Sequence, residues 1–153
     1  MERTSFKTMN CSVAQCLEVA GEWWSLLIVR DAFLGYRRFD QFLSRLGISR
    51  NTLTARLGSL VEQGILERVP YQEHPPRSEY RLTDKGRDLW PVLTAMRQWG
   101  DRHSAPAGPP LQIVHGACGK VAEAVLMCSE CGEPLEAGAV TAIPGPGAKR
   151  LRA

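Results

Sequence analysis

The sequence predicts a mainly α-helical domain with one small β-hairpin, followed by a small, β-rich appendage that contains cysteines. Three observations support this fold class. Apolar residues recur at helical spacing through most of residues 11–103. A proline-containing loop between two short alternating patterns follows the fourth helical pattern. An uncharged stretch with three prolines, residues 104–110, then precedes a tail that holds three of the five cysteines.

The first two helical patterns lie before residue 35. Ser12 is predicted to cap a helix that runs through Ala20, and Gly21 interrupts it. The second helix begins near Trp23 and is strongly apolar, with Trp24, Leu27 and Leu34 expected in the core. We interpret its tryptophans as core or dimer contacts rather than ligand-stacking residues, because the neighbouring positions are also apolar.

The third and fourth helical patterns are joined by a tight turn. Gly47 follows the first of them and suits a left-handed C-cap, and Ser49 can cap the next helix by accepting from the amide of Asn51 or Thr52. Gly64 ends that helix. The positions that we expect to be buried recur at helical spacing: Phe39, Phe42, Leu43, Leu46, Leu53, Leu57, Leu60 and Val61.

The outward face of the fourth helix carries short polar and cationic side chains near its start. The positions are Arg50, Asn51, Thr54, Ala55, Arg56 and Ser59. Two short helices joined in this way, with such groups leading the second, are typical of a helix-turn-helix that reads the major groove. The alternative is an ordinary helical hairpin with a solvated face. Charge favours DNA, because residues 37–56 hold five arginines and one aspartate whereas the whole chain is only +3.

A hairpin pattern follows from Ile65 to Thr83, with strands predicted at 65–69 and 79–82. Pro75 and Pro76 stiffen its tip, so that Arg77 projects from a rigid loop. Such a loop suits a wing that enters the minor groove, where narrow A·T tracts attract guanidinium groups. The alternative is a plain surface turn.

The last helical pattern is apolar on more of its surface than a small domain can bury alone. Thr83 or Asp84 is predicted to cap it, and Pro91 should kink the helix or displace its start. Its apolar residues are Leu89, Trp90, Val92, Leu93, Met96 and Trp99.

Residues 11–103 resemble the HxlR-type winged helix-turn-helix regulators, which are relatives of the MarR-like repressors. The segments that carry the resemblance are CSVAQCLEVAGEWWSLLIVRDAFLGYRRFDQF, LGISRNTLTARLGSLVEQGILERVPY and PPRSEYRLTDKGRDLWPVLTAMRQWGDRH. The resemblance implies a bacterial or archaeal homodimeric transcription factor whose first and last helices cross between subunits. It identifies no target gene, and a small-molecule effector stays unidentified.

We therefore expect a homodimeric repressor that reads a pseudo-palindromic operator with half-sites about 34–36 Å apart. Helix 49–63 is placed in the major groove and the wing near Arg77 in the minor groove. Asn51 is matched to adenine, and Arg50 or Arg56 to guanine or phosphate. The full set of predicted DNA contacts is Arg37, Arg38, Ser49, Arg50, Asn51, Thr52, Thr54, Arg56 and Arg77.

The composition divides the chain into residues 1–103 (DNA binding and dimerisation), 104–110 (linker), 111–143 (appendage) and 144–153 (a tail expected to be disordered, in which Lys149, Arg150 and Arg152 can touch phosphate loosely). In the appendage, His115 and Cys118 are separated by two residues, as are Cys128 and Cys131. One imidazole and three thiolates can form a tetrahedral zinc site, so the appendage is predicted to resemble a zinc ribbon. The alternatives are free or redox-active thiols, or neither.

The remaining cysteines lie in the first predicted helix. Cys11 stands at its start, where a helix N-terminus favours the reactive thiolate form, and it is a candidate redox sensor that could link across the dimer. In some members of the family a cysteine at the matching place senses oxidants. The alternative is a small buried residue under the dimer helix. Cys16 is expected in the core.

Other function classes are less favoured by the sequence. A winged-helix module that uses its wing and zinc tail for protein contacts is the main alternative, but the basic face argues against it. No Ser/His/Asp set, phosphate loop or carboxylate pair indicates an enzyme, and four protein ligands would leave zinc no open catalytic position. The sequence holds no apolar run that spans a membrane, and its N-terminus lacks a signal-peptide core, so a cytoplasmic location is expected.

Overall fold

The computed structural model describes residues 5–148, so Lys149, Arg150 and Arg152 lie outside the described residues. The contacts divide the chain into two compact units, with the boundary between Trp90 and Pro91. The elements in order are α1 (Ser12–Ala20), α2 (Trp23–Phe33), α3 (Phe39–Leu46), α4 (Arg50–Glu62), β1 (Leu66–Gln72), β2 (Arg77–Leu82), α5 (Asp84–Arg87), α6 (Trp90–Ser104) and a 3-10 helix (Ala137–Ala139).

The core of the first unit is built around α2, which contacts α1, α3, α4 and β2. Removing each large apolar side chain from water stabilises the fold by about 1.5–3 kcal/mol. The predicted stripe of α4 is confirmed at Leu53, Leu57 and Leu60. The other predicted core positions, Val61 of α4 and Phe39, Leu43 and Leu46 of α3, are only partly buried. The large apolar side chains that are fully buried are Ile28, Val29, Phe42, Leu53, Leu57, Leu60, Ile65 and Leu66.

The turn between α3 and α4 has the predicted geometry. Gly47 adopts the left-handed conformation, with φ of 63°, and its amide donates to the carbonyl of Leu43. The hydroxyl of Ser49 then accepts from the amide of Thr52 at 3.1 Å and caps α4. Glycine and a hydroxyl residue at these positions satisfy the free backbone groups at both helix ends. Local chemistry therefore fixes how α4 begins.

The two strands pair in antiparallel fashion, with Leu66 opposite Leu82 and Gln72 opposite Arg77. They are longer than predicted, and Arg77 therefore begins β2 instead of lying in the loop, which is residues 73–76. Pairing continues past Val69 because Pro70 stands at an irregularity of the register, where a missing backbone donor is tolerated. The bond between His74 and Pro75 is cis.

The end of the hairpin is joined closely to its start. The hydroxyl of Thr83 accepts from the amide of Gly86 at 3.0 Å and donates to the carbonyl of Gly64 at 2.6 Å. Gly86 is buried, and a Cβ atom built on it would lie 2.1 Å from the carbonyl oxygen of Ile65.

The predicted break near Pro91 is confirmed, because α5 ends at Arg87 and α6 begins at Trp90.

Three predictions about the first two helices are wrong. Cys11, not Ser12, is the N-cap of α1, since its backbone is extended and its carbonyl accepts the first helical hydrogen bond. Cys16 is exposed rather than in the core, because α1 turns Ala14 and Ala20 inward. In α2, Trp24 and Leu27 are only partly buried, and Leu34 is exposed. Trp23 is 86% exposed and lies outside the core, so of its two interpretations the dimer contact stays a prediction.

The second unit contains the rest of α6 and the appendage. Arg97 and Asp101 form an ion pair at 2.6 Å within the helix, and Gln98 donates to the carbonyl of Ala124 at 3.1 Å. Two isolated bridges, Val114 with Val121 and Met127 with Pro134, are the β-structure of the appendage among the described residues. None of the helices in the described part is long and apolar enough to span a lipid bilayer.

Candidate nucleic-acid interface

The first turns of α4 present small polar groups to solvent. Asn51 and Thr54 are exposed, and so is Arg50. Ser49 and Thr52 are engaged in the cap, and their hydroxyl oxygens lie 2.9 Å apart. The exposed groups offer a guanidinium, an amide and a hydroxyl, which are the donors and acceptors that pair with base edges.

Arg50 is held only loosely. Its side chain is 69% exposed, and its Nη2 lies 3.7 Å from an oxygen of Asp40, whose side chain is also exposed. Its guanidinium carbon is 5.7 Å from the centre of the Phe39 ring. An exposed ion pair of this kind contributes about 0–1 kcal/mol. Arg50 can therefore exchange Asp40 for a phosphate or a base at small cost.

Arg56 has a different environment from the rest of the predicted reading face. Its side chain is 31% exposed, and its Nη2 lies 3.3 Å from an oxygen of Glu22, at the start of α2. Its Nε atom is buried without a hydrogen-bond partner among the described residues. The guanidinium thus joins α4 to α2, a contact that helical periodicity did not indicate.

The residues before α3 join the edge of the wing. The amide of Tyr80 donates to the carbonyl of Arg37 at 2.7 Å, and Arg38 forms a bridge with Glu79. The side chain of Gln41 accepts from the amides of both arginines, at 3.0 and 2.9 Å. These contacts fix the start of α3 to β2. No sequence pattern indicates the contacts with β2, because they join residues about forty positions apart.

Arg37 and Arg38 are both exposed, but the side chain of Arg38 also contacts the wing. Arg38 lies 3.6 Å from Glu79 and stacks over the ring of Tyr71 at 4.7 Å. Glu79 also accepts from Arg81 at 3.1 Å. The hydrogen bond from Arg81, together with the charges of Arg81 and Arg38, holds the pKa of Glu79 below its usual value.

A buried carboxylate sets the position of α3. Asp31 in α2 is fully buried, and it accepts from Arg30 at 2.8 Å and from Arg45 at 3.2 Å. Arg45 also stacks over the ring of Tyr36 at 4.0 Å and donates to its hydroxyl at 3.1 Å. These contacts join α2 to the last turn of α3, directly before the turn that leads into α4. Sequence reasoning missed the role of Asp31.

Arg77 is exposed at the start of β2, beside the hairpin loop. Within that loop, the side chain of Gln72 donates to the carbonyl of His74 at 3.0 Å and so closes the turn. An exposed guanidinium beside a braced loop suits contact with a backbone phosphate or with the minor groove.

The cysteines are all free thiols. In the appendage, Nδ1 of His115 lies 3.4 Å from the sulfur of Cys118. The backbone amides of Cys131 and Glu130 donate to the sulfur of Cys128 and lower the pKa of its thiol. Within residues 5–148, no three His, Cys, Asp or Glu side chains form a group that could hold a metal ion. The candidate zinc ligands therefore form pairs rather than one cluster.

This chain is similar in sequence to a known protein family and to proteins of known class. A family model for the HxlR-like helix-turn-helix matches residues 19–107. The chain is 50% identical over 139 residues to the uncharacterized HTH-type transcriptional regulator Rv3095 of Mycobacterium tuberculosis, covering 90% of this chain and 88% of that protein.

This chain is also similar to solved structures of transcriptional regulators. PA1607, described as a candidate transcription factor, is 42% identical with a TM-score of 0.82, covering 93% of this chain and all of that one. The redox regulator HypR in its oxidized form is 34% identical with a TM-score of 0.56, covering 60% of this chain and 96% of that one.

Proposed function

This chain belongs to the HxlR-like helix-turn-helix family and is a helix-turn-helix transcriptional regulator, and from that premise we propose that it is a homodimeric repressor of a pseudo-palindromic operator. The observation that carries the proposal is the exposed start of α4, where Arg50, Asn51 and Thr54 surround a helix N-terminus capped by Ser49. Repression follows if the bound dimer covers a promoter and blocks access to it.

The reading chemistry follows from these side chains. The amide of Asn51 can form two hydrogen bonds with adenine, and the guanidinium of Arg50 can do the same with guanine. Thr54 can contact a thymine methyl group or a base edge. The N-terminus of α4 also favours an anionic phosphate, because its free amides and its dipole both attract negative charge.

The arginines around α4 divide into contacting and positioning residues. Arg37 and Arg77 are exposed and are assigned to phosphate and to the minor groove. Arg38 and Arg56 are already bound to Glu79 and Glu22. Their assigned role is to hold the wing and α4 in place, and any contact of theirs with phosphate is secondary.

Dimerisation is supported by apolar residues that the single chain leaves exposed. Val13 and Leu17 are exposed on α1, and Met96 and Trp99 are exposed on α6. Large exposed apolar groups of this kind mark interaction surfaces. We assign them to contacts between two copies, which the crossing first and last helices of the family would bury. Light scattering of the full chain should give the mass of a dimer, and Leu17→Glu should shift it toward the monomer.

Selection of bound DNA from a random duplex library tests the proposal. The expected result is an inverted repeat whose half-site centres are about one helical turn apart, with affinity that falls steeply with salt. Binding that shows no sequence preference, or no binding at low salt, would contradict it. Either outcome would instead favour a protein-interaction module.

A second candidate function is thiol-based redox sensing through Cys11. This residue is exposed at the N-cap of α1, and the similar protein HypR is a redox regulator known in oxidized and reduced forms. Diamide would take two electrons and two protons from two thiols to form a disulfide. Loss of the diamide effect on DNA affinity in Cys11→Ser, but not in Cys16→Ser, would support this role. An unchanged response in Cys11→Ser would exclude it.

A further inference from the structure

The appendage contains the same small hairpin twice. Its two copies are IVHGACGKVA, residues 113–122, and LMCSECGEPL, residues 126–135. In each copy the residue at the third position donates to the carbonyl of the eighth, at 2.9 Å from His115 and 2.8 Å from Cys128. Each also has one isolated bridge at equivalent positions. Because the backbone hydrogen bonds repeat, residues at equivalent positions have equivalent places in the two hairpins.

The repeat extends to the tight turn of each hairpin. The amide of Gly119 donates to the carbonyl of His115 at 2.8 Å, and that of Gly132 donates to the carbonyl of Cys128 at 2.9 Å. Both glycines adopt the left-handed conformation, with φ of 67° and 74°. Glycine takes this conformation without the steric cost that a side chain would add. The chain therefore builds two matched turns, each ending in Cys-Gly.

Each turn has four residues, 115–118 in the first hairpin and 128–131 in the second. The side chains at the first and last residue of each turn are all of the type that binds zinc. They are His115 and Cys118 in the first hairpin and Cys128 and Cys131 in the second. In the first, Nδ1 and Sγ are 3.4 Å apart. Ideal tetrahedral bonds of about 2.0–2.1 Å to nitrogen and 2.3 Å to sulfur place the two ligand atoms about 3.5–3.6 Å apart. The first pair is thus already close to the required separation.

The second hairpin is held in the same form as the first by its backbone hydrogen bonds. The amide of Leu135 donates to the carbonyl of Leu126 at 2.9 Å, and in the first hairpin the amide of Ala122 donates to the carbonyl of Ile113 at the same distance. Cys128 and Cys131 therefore occupy the same turn positions as His115 and Cys118.

The appendage also lacks an apolar core of its own. No side chain of residues 111–148 is fully buried, and Val114, Val121, Leu126 and Met127 are exposed. A segment this small needs a further source of folding free energy, and a structural metal is a common one. Two hairpins that each supply two ligands would be joined into one unit by a shared ion.

We propose that His115, Cys118, Cys128 and Cys131 bind one Zn²⁺ in a closed structural site that joins the two hairpins. Because the two pairs lie apart among the described residues, the hairpins approach each other when the metal binds. The three thiols release their protons as they coordinate, and imidazole binds in its neutral form. Thiolate ligands select Zn²⁺ over Mg²⁺ or Ca²⁺, and four protein ligands leave no position for a reacting water.

Metal analysis of the full chain tests the proposal. Protein produced with added zinc and dialysed without chelator should carry about one Zn²⁺ per chain. Cys128→Ser should lower the zinc content at least several-fold, whereas Cys16→Ser, which alters an exposed thiol outside the appendage, should keep it. A zinc-free wild-type chain, or a Cys128→Ser variant that retains zinc as well as the wild type does, would overturn the proposal.

A second measurement keeps the test independent of variant folding. The wild-type chain, stripped of metal and titrated with Co²⁺, should develop the intense visible absorption of tetrahedral cobalt and the near-ultraviolet bands of thiolate ligands, saturating near one equivalent. Zn²⁺ should then displace the cobalt and remove these bands. Absence of the bands, or an octahedral spectrum, would contradict a site with three thiolates. Neither the zinc content nor the cobalt spectrum depends on DNA binding, so both test the metal site separately from the proposed DNA-binding function.

Discussion

Arg45 in α3 donates from Nε to the fully buried carboxylate of Asp31 in α2 at 3.2 Å. Asp31 also binds Arg30, and Arg45 also contacts Tyr36. A buried carboxylate needs such partners, because burial without them costs several kcal/mol. The pair therefore fixes the end of α3 against α2, and with it the turn that starts the reading helix.

Asp31→Ala should destabilise the fold by about 2 kcal/mol. That is less than the ~3–5 kcal/mol of a fully buried pair, because both arginine side chains reach solvent and can be rehydrated. Urea unfolding followed by far-ultraviolet circular dichroism gives the difference. Asp40→Ala, which removes a largely exposed carboxylate, is the control and should change stability by under ~0.5 kcal/mol. Equal effects of the two substitutions would contradict this role of Asp31.

Gly86→Ala should destabilise the first unit by about 1–3 kcal/mol, since the added methyl group meets the backbone oxygen of Ile65 at 2.1 Å. Gly58→Ala is the matched control. Gly58 lies inside α4 with open space around its Cα, so alanine there should stabilise by up to about 1 kcal/mol. Opposite signs in thermal unfolding are expected, and a neutral Gly86→Ala would show that the close approach is not required.

Glu79 links stability to pH. Its pKa is lowered in the folded chain, chiefly by Arg81 and also by Arg38, so its contribution is present above the ordinary value of 4.5 and is lost as the pH falls below it. Glu79→Gln should lower the unfolding midpoint at pH 7 and have little effect near pH 3. A difference of the same size at both pH values would contradict an ionic role for Glu79.

Arg77→Ala should weaken DNA binding without changing the fold. Removal of one phosphate contact should reduce the slope of log affinity against log salt by about 0.9, and contact with a narrow minor groove should also lower the preference for flanking A·T pairs. Fluorescence anisotropy across a salt series, with thermal unfolding as a check on the fold, measures both. An unchanged slope would remove Arg77 from the interface.

The sequence predicted best what neighbouring residues determine. Gly47 and Ser49 were assigned correctly because C-caps and N-caps depend on local backbone chemistry. The buried stripe of α4 was also found, since its apolar residues recur at helical spacing. The predicted strands stop short of the hairpin loop, because pairing continues through Pro70 to Gln72 across an irregular register that the sequence pattern does not show.

Contacts between distant residues left no comparable signal. The periodicity that placed Arg56 on the outward face cannot show that Glu22 reaches it from α2. In the same way, the charge pattern that places Arg38 among the predicted DNA contacts cannot show that Glu79 and Tyr71 contact its side chain. Charge counts along the sequence identify a basic segment, whereas the pairing of each arginine depends on the tertiary fold.

The most direct test of the central claim is the effect of Arg50→Ala on the selected operator. We expect affinity to fall about tenfold or more and preference to relax at one base position, since a bidentate base contact is worth about 1–3 kcal/mol. Arg102→Ala, which removes an exposed arginine of α6, serves as the control. Anisotropy titrations with the operator and its single-base variants give both quantities. Unchanged affinity and unchanged preference in Arg50→Ala would contradict the placement of α4 as the reading helix.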